Sequence, residues 1–148
     1  MGLLDDLLSL FSSPPKQYGK LSVTFLGEEV RSNGERKIAD FLKRNAIRYV
    51  YEPTLSEEFL IFSQKVSRPD FYLPDHDVYI EYWGMVDVHD DKDRSSYVRS
   101  MKWKMAQYHR LGLKLISIYP RNLSNLDWIF RKKFKDATGY NLPRPGSP

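Results

Sequence analysis

Residues 68–84 read RPDFYLPDHDVYIEYWG, and the fold turns on how this stretch is read. Pro74-Asp75-His76-Asp77 is a turn between two extended segments, 69–73 and 78–83. The second is rich in β-branched and aromatic residues and is the strongest strand in the chain. Side chains alternate across a strand, so Val78, Ile80 and Tyr82 share one face and Tyr79, Glu81 and Trp83 the other. Glu81 is then a carboxylate inside an otherwise apolar strand. Burying it is costly unless it is paired, protonated or bound to a cation. Asp70 lies eleven residues earlier, directly after Pro69. If the two segments pair through the turn, the carboxylates approach each other. Like charges held together favour a cation between them, and oxygen donors suit Mg²⁺ or Mn²⁺.

The flanking sequence supplies helices and further strands. Before the hairpin, Ser32-Asn33-Gly34-Glu35 opens a helix running to about Asn45, with Ile38, Ala39, Phe41 and Leu42 as its apolar face. Residues 47–51 follow as a strand ended by Glu52-Pro53, and 60–62 is a weaker strand candidate. After the hairpin, 87–94 reads as an acidic loop and 95–111 as a helix closed by Gly112. Residues 114–119 are an apolar strand stopped by Pro120, and 126–137 a basic amphipathic helix before Gly139. The expected fold is α/β, a central mixed sheet flanked by helices. Three segments are expected: an amphipathic helix at 3–11 with an extended lead-in to residue 30, a domain over 31–138, and a flexible tail over 139–148.

Each acidic residue also has a purely structural reading. Glu81 can pair with Arg68, Asp70 can cap the turn made by Pro69, and Ser32-x-x-Glu35 matches a capping box. As a set they are more specific. The pattern Glu35 … Pro69-Asp70 … Glu81-x-Trp83, on a helix–strand–strand–strand–helix–strand order, resembles the PD-(D/E)XK nuclease superfamily over roughly residues 31–135. It is similar to the resolvase-like, very-short-patch-repair-like and helicase-associated members. The resemblance implies a restriction-endonuclease-like core and divalent-metal-dependent hydrolysis of DNA phosphodiesters, structure-selective or nicking, in DNA repair or recombination. It further implies Asp70 and Glu81 as metal ligands, the Tyr82 carbonyl as a third donor, and Glu35 for a second ion or a metal-bound water.

Position 83 departs from that pattern, for the family places lysine there and this chain has Trp83. Either the domain is a non-cleaving relative or the lysine comes from elsewhere. On the helix 95–111, Met101, Lys104, Met105 and Tyr108 fall at i, i+3, i+4 and i+7, one face. Lys104 is thus a cation in an apolar stripe, and Lys104-x-x-x-Tyr108 resembles the Gln-x-x-x-Tyr element of some superfamily members. With all three acidic positions present, a migrated Lys104 is the preferred reading, Lys102 the second choice, and Trp83 takes a packing role.

Composition bounds the rest. The chain has 148 residues, 23 Lys+Arg against 19 Asp+Glu, and no cysteine. That length suits one core, and the lack of thiols leaves a hard-cation, all-oxygen site rather than zinc. The charge is sorted: −7 over residues 51–96 and +9 over 97–135. Arg99, Lys102, Arg110, Arg131, Lys132, Lys133 and Lys135 are candidate contacts to a DNA backbone, with a solvated helix face as the alternative for the last four. His76, His89 and His109 have no metal-ligand spacing, and 87–98 lacks the glycine and glutamate of an EF-hand. No phosphate-binding glycine loop is present. No apolar run approaches bilayer length, and Lys16 is the first lysine, so a cytoplasmic or nucleoid-associated protein is expected. The partners expected are DNA, a second copy of the chain, and a helicase or other DNA-processing protein. A catalytically inactive nucleic-acid-binding module or an accessory subunit is the alternative.

Overall fold

A computed structural model describes residues 21–53 and 68–146. The expected helix at 3–11 and strand at 60–62 lie outside them. A short antiparallel hairpin, β1 (Ser22–Val23) with β2 (Glu29–Val30), precedes helix α1 (Asn33–Arg44). Then come β3 (Val50–Tyr51), β4 (Phe71–Leu73), β5 (Val78–Tyr82), helix α2 (Asp91–Arg110) and β6 (Lys114–Ile118). A 3₁₀ turn, Pro120–Asn125, leads into helix α3 (Leu126–Thr138). The main sheet has order β3-β4-β5-β6. Its first two pairings are antiparallel, and β5–β6 is parallel, joined by the α2 crossover. The class is therefore mixed α/β, with a four-stranded mixed sheet and three α-helices among the described residues.

The alternation along β5 sorts the helices. Val78 and Ile80 join Phe71, Leu73, Ile116 and Ile118 beneath α1 and α3 in one core with Ile38, Leu42, Phe130 and Phe134. Aromatic edges lock that layer, Phe41 to Phe130 at 5.0 Å and Tyr49 to Phe71 at 5.4 Å. The opposite face meets α2: Tyr79 lies 5.7 Å from the Tyr108 ring, and Lys104 lies 5.7 Å from that of Trp83. The side chains that carry chemistry thus sit in a second, more polar layer.

Local chemistry sets the ends of the helices. Ser32 caps α1 by accepting the Glu35 N–H at 3.0 Å. Gly34, next in the helix, is buried against the Tyr82 ring, where a Cβ would stand only 2.2 Å from ring carbons. Glycine here lets the start of α1 close onto β5. The segment read as the acidic loop 87–94 is helical from Asp91. Asp90 caps α2 by accepting the N–H groups of Lys92 and Asp93 at 3.0 Å, and Asp91 and Asp93 face the positive end of the helix dipole. The strands are shorter than expected: 47–51 reduces to Val50–Tyr51 and 69–73 to Phe71–Leu73. The lead-in is a hairpin rather than a single extended stretch. The tail is not loose at its start, because Leu142 is buried and Tyr140 packs on Phe134 and His76.

Candidate active site

The antiparallel register Phe71↔Ile80 places Asp70 beside the far end of β5. Its Oδ2 accepts the Tyr82 N–H at 2.7 Å, and its carbonyl accepts the Glu52 N–H at 2.8 Å. The side chain is anchored at both ends of the residue rather than capping the Pro69 turn. Glu81 is buried beside it, 3% exposed. Glu81 Oε1 receives the Lys104 ammonium in a short ion pair and the Tyr108 hydroxyl at 3.0 Å. The proposed bridge from Glu81 to Arg68 is not made. Arg68 reaches Glu52 at 3.9 Å, and its carbonyl accepts from Lys104 Nζ at 3.4 Å.

The electrostatics follow from crowding two acids in a dry place. Burial, then the neighbouring Glu81, pushes Asp70 up to about 8. Burial raises Glu81 too, opposed by Lys104, by the Tyr108 hydroxyl and by a hydrogen bond from Asp70. Burial thus favours the neutral form of Asp70, while the Lys104 ammonium favours the charged form of Glu81. Glu35 is nearby. Its Oε2 accepts the Tyr51 hydroxyl at 2.5 Å, and that hydroxyl in turn accepts the Arg31 N–H at 3.0 Å. Burial and the Asp70 charge push Glu35 up to about 7.

Half of the capping box of Glu35 forms. Its N–H completes the helix cap, and its carboxylate is directed toward Tyr51 and the field of Asp70. Lys104, at 9% exposed, pairs with Glu81 and lies 5.7 Å from the centre of the Trp83 ring. Trp83 is buried and its Nε1 has no partner among the described residues. Lys102 points to solvent and takes no part.

Metal fit rests on the donor set. Burial pushes both carboxyls up and a hard cation would favour their charged forms, so Asp70 and Glu81 suit Mg²⁺ or Mn²⁺. Among the described residues no group of three or more His, Cys, Asp or Glu side chains is arranged to hold an ion. Glu35, engaged by Tyr51, stands apart from the pair.

The basic candidates divide. Arg99, Lys102, Arg110, Lys132 and Lys135 are exposed. Arg131 and Lys133 are half-buried and bonded within the fold. Arg131 bonds Asp127, the Asn45 side chain at 2.9 Å and the Leu142 carbonyl at 3.2 Å, tying α3 to α1 and to the tail. Lys133 donates to the Ser117 carbonyl at 2.5 Å and lies over the Tyr119 ring, and burial lowers its pKa.

Sequence reasoning missed Tyr51, which shows no spacing signal because its partner Glu35 lies across the fold. It also missed Tyr97, half-buried on α2 near Asp70 and Glu81. Tyr97 was legible, since it continues the Met101, Lys104 and Tyr108 stripe by one turn. No helix among the described residues is long and apolar enough to cross a membrane. No family model, curated protein or solved structure matches the chain.

Proposed function

We propose that the chain is a divalent-metal-dependent deoxyribonuclease of the PD-(D/E)XK type, with a restriction-endonuclease-like core whose active-site lysine has moved from β5 to α2. The observation that carries this reading is the Lys104–Glu81 ion pair beside Asp70, made across the face where Trp83 occupies the usual lysine position. Hydrolysis needs an activated water, a polarised phosphoryl group and a stabilised leaving oxygen. Mg²⁺ or Mn²⁺ held by Asp70 and Glu81, with the Tyr82 carbonyl as a further donor, would lower the pKa of water and neutralise phosphate charge. A cation held there would favour the charged form of Asp70, its proton passing to solvent. Lys104, held by Glu81, the Arg68 carbonyl and the Trp83 ring, would offer its ammonium to the charge on the phosphoryl oxygens. Tyr108 fixes the Glu81 rotamer, and Tyr51 fixes Glu35 at the edge of the site, where it can orient a water. The exposed cations Arg99, Lys102, Arg110, Lys132 and Lys135 are the proposed contacts to the phosphate backbone.

The second reading, an inactive nucleic-acid-binding module or accessory subunit, is favoured by one feature, the tryptophan at position 83. Incubating plasmid and branched DNA with the purified chain in Mg²⁺, Mn²⁺ or EDTA separates the two. Metal-dependent cleavage that disappears in Asp70→Ala and Glu81→Ala is expected. Cleavage that survives both substitutions sinks the site, and binding without cleavage in either metal favours the module.

A further inference from the structure

Helix α2 has a second functional face. Its inner stripe, Met101, Lys104 and Tyr108, is buried on the sheet. Its outer side carries Lys92, Arg99, Trp103, Ala106 and Arg110, all exposed. These positions recur at steps of seven, four, three and four, which is a single stripe on a helix of 3.6 residues per turn. Trp103 is 43% exposed, unusual for an indole with no described element to cover it. No carboxylate lies on the stripe. The helix has two acidic residues, Asp91 and Asp93, both in its first turn, and Asp91 is paired with Arg94. Arg110 is held by the Gln107 side chain at 3.0 Å, which leaves its guanidinium directed along the surface.

We propose that this face binds single-stranded nucleic acid, with Trp103 as a base-stacking platform bracketed by Lys92, Arg99 and Arg110 on the phosphates. The inference rests on the nuclease reading for its polyanionic substrate and adds the strand state of that substrate. Cations alone serve any polyanion. An exposed indole set among them can stack on an unpaired base with an open ring face, and paired bases in a duplex do not offer one. Trp103 and Lys104 are consecutive on α2 but face different ways, the indole outward and the ammonium toward Glu81. The substrate class implied is DNA with an unpaired segment, such as a flap, fork or gap.

The test uses the full chain carrying Asp70→Asn, in EDTA, so that binding is read without cleavage. The probes are dye-labelled oligo-dT and a blunt duplex of the same length, followed by fluorescence anisotropy. Oligo-dT is expected to bind more tightly than duplex. Trp103→Ala is expected to weaken oligo-dT binding about tenfold, within the range typical of lost base stacking, and duplex binding far less. Trp103→Phe, which keeps a ring, should recover most of the loss. Lys92→Ala and Arg99→Ala should each flatten the salt dependence by about 0.7 in log–log slope. Unchanged helical circular dichroism keeps these exposed substitutions interpretable. Equal loss on both probes, no loss with Trp103→Ala, or full competition by polyglutamate or anionic vesicles overturns the proposal. Because no cleavage is measured, a failed nuclease assay leaves this result standing, and a failed binding assay leaves the metal site untouched.

Discussion

Asp70→Asn should make the protein more stable while abolishing its proposed activity. The native carboxyl is pushed from 3.8 up to about 8 by burial and by Glu81. Between those values the unfolded chain has released this proton and the native chain retains it. The native state therefore binds more protons, and stability falls as pH rises from about 4 to about 8, then levels off. Each pH unit in that window costs about 1.4 kcal/mol, which sets an upper bound of about 4 kcal/mol at pH 7. Asparagine removes the term and keeps the contacts. Its amide oxygen can accept the Tyr82 N–H now bound at 2.7 Å, and its NH₂ can donate to Glu81 as the protonated acid does. Urea unfolding at pH 4, 6 and 8, with EDTA present, reads the difference. The two proteins should coincide near pH 4, and the variant should lead by about 2–4 kcal/mol at pH 8. Repeating the pH 8 series with Mg²⁺ should raise the wild-type midpoint and move the variant less. A variant no more stable than wild type at pH 8, or one with the same pH slope, refutes the idea that Asp70 is held protonated in a carboxylate pair.

Further outcomes concern the parts around that pair. Lys104→Met should abolish cleavage and cost about 3–5 kcal/mol, because it strands the buried Glu81 carboxylate. Adding Trp83→Lys to that variant returns a lysine to the same face of β5 and should restore part of both losses, read by plasmid nicking and thermal unfolding. Gly34→Ala drives a Cβ into the Tyr82 ring, and the strain should lower stability by about 1–3 kcal/mol and reduce cleavage by shifting Glu35. Arg131→Ala should destabilise by about 1–3 kcal/mol, through its three lost partners, while leaving DNA affinity and its salt slope unchanged. A fall in affinity without a fall in stability would return Arg131 to the binding surface.

Much of the frame was legible because it rests on local rules. The β5 alternation, the apolar face of α1, the Ser32 cap and the turn at 74–77 each depend on residues a few positions apart. The start of α2 was misplaced by about four residues because a run of acids read as a solvated loop, although Asp90 followed by Asp91 and Asp93 is also a helix opening. Among the basic residues, Arg131 and Lys133 looked identical in kind to Lys132 and Lys135. What separates them is which side of α3 meets Asn45, Leu142 and Ser117, and those partners are distant in the chain.

The site divides along the same line. Composition and strand period are enough to identify Asp70 and Glu81 as acids on neighbouring segments, and helical spacing marks Lys104 as a cation in an apolar stripe. Whether those three meet depends on the β4–β5 register and on the β5–α2–β6 crossover, which lays α2 over the Glu81 face. Tyr51 reaches Glu35 only because β3 lies at the sheet edge beside the start of α1. Side-chain chemistry is carried by single residues and local periods. The meeting of two buried carboxyls with one ammonium requires a common enclosed space that long-range packing alone creates.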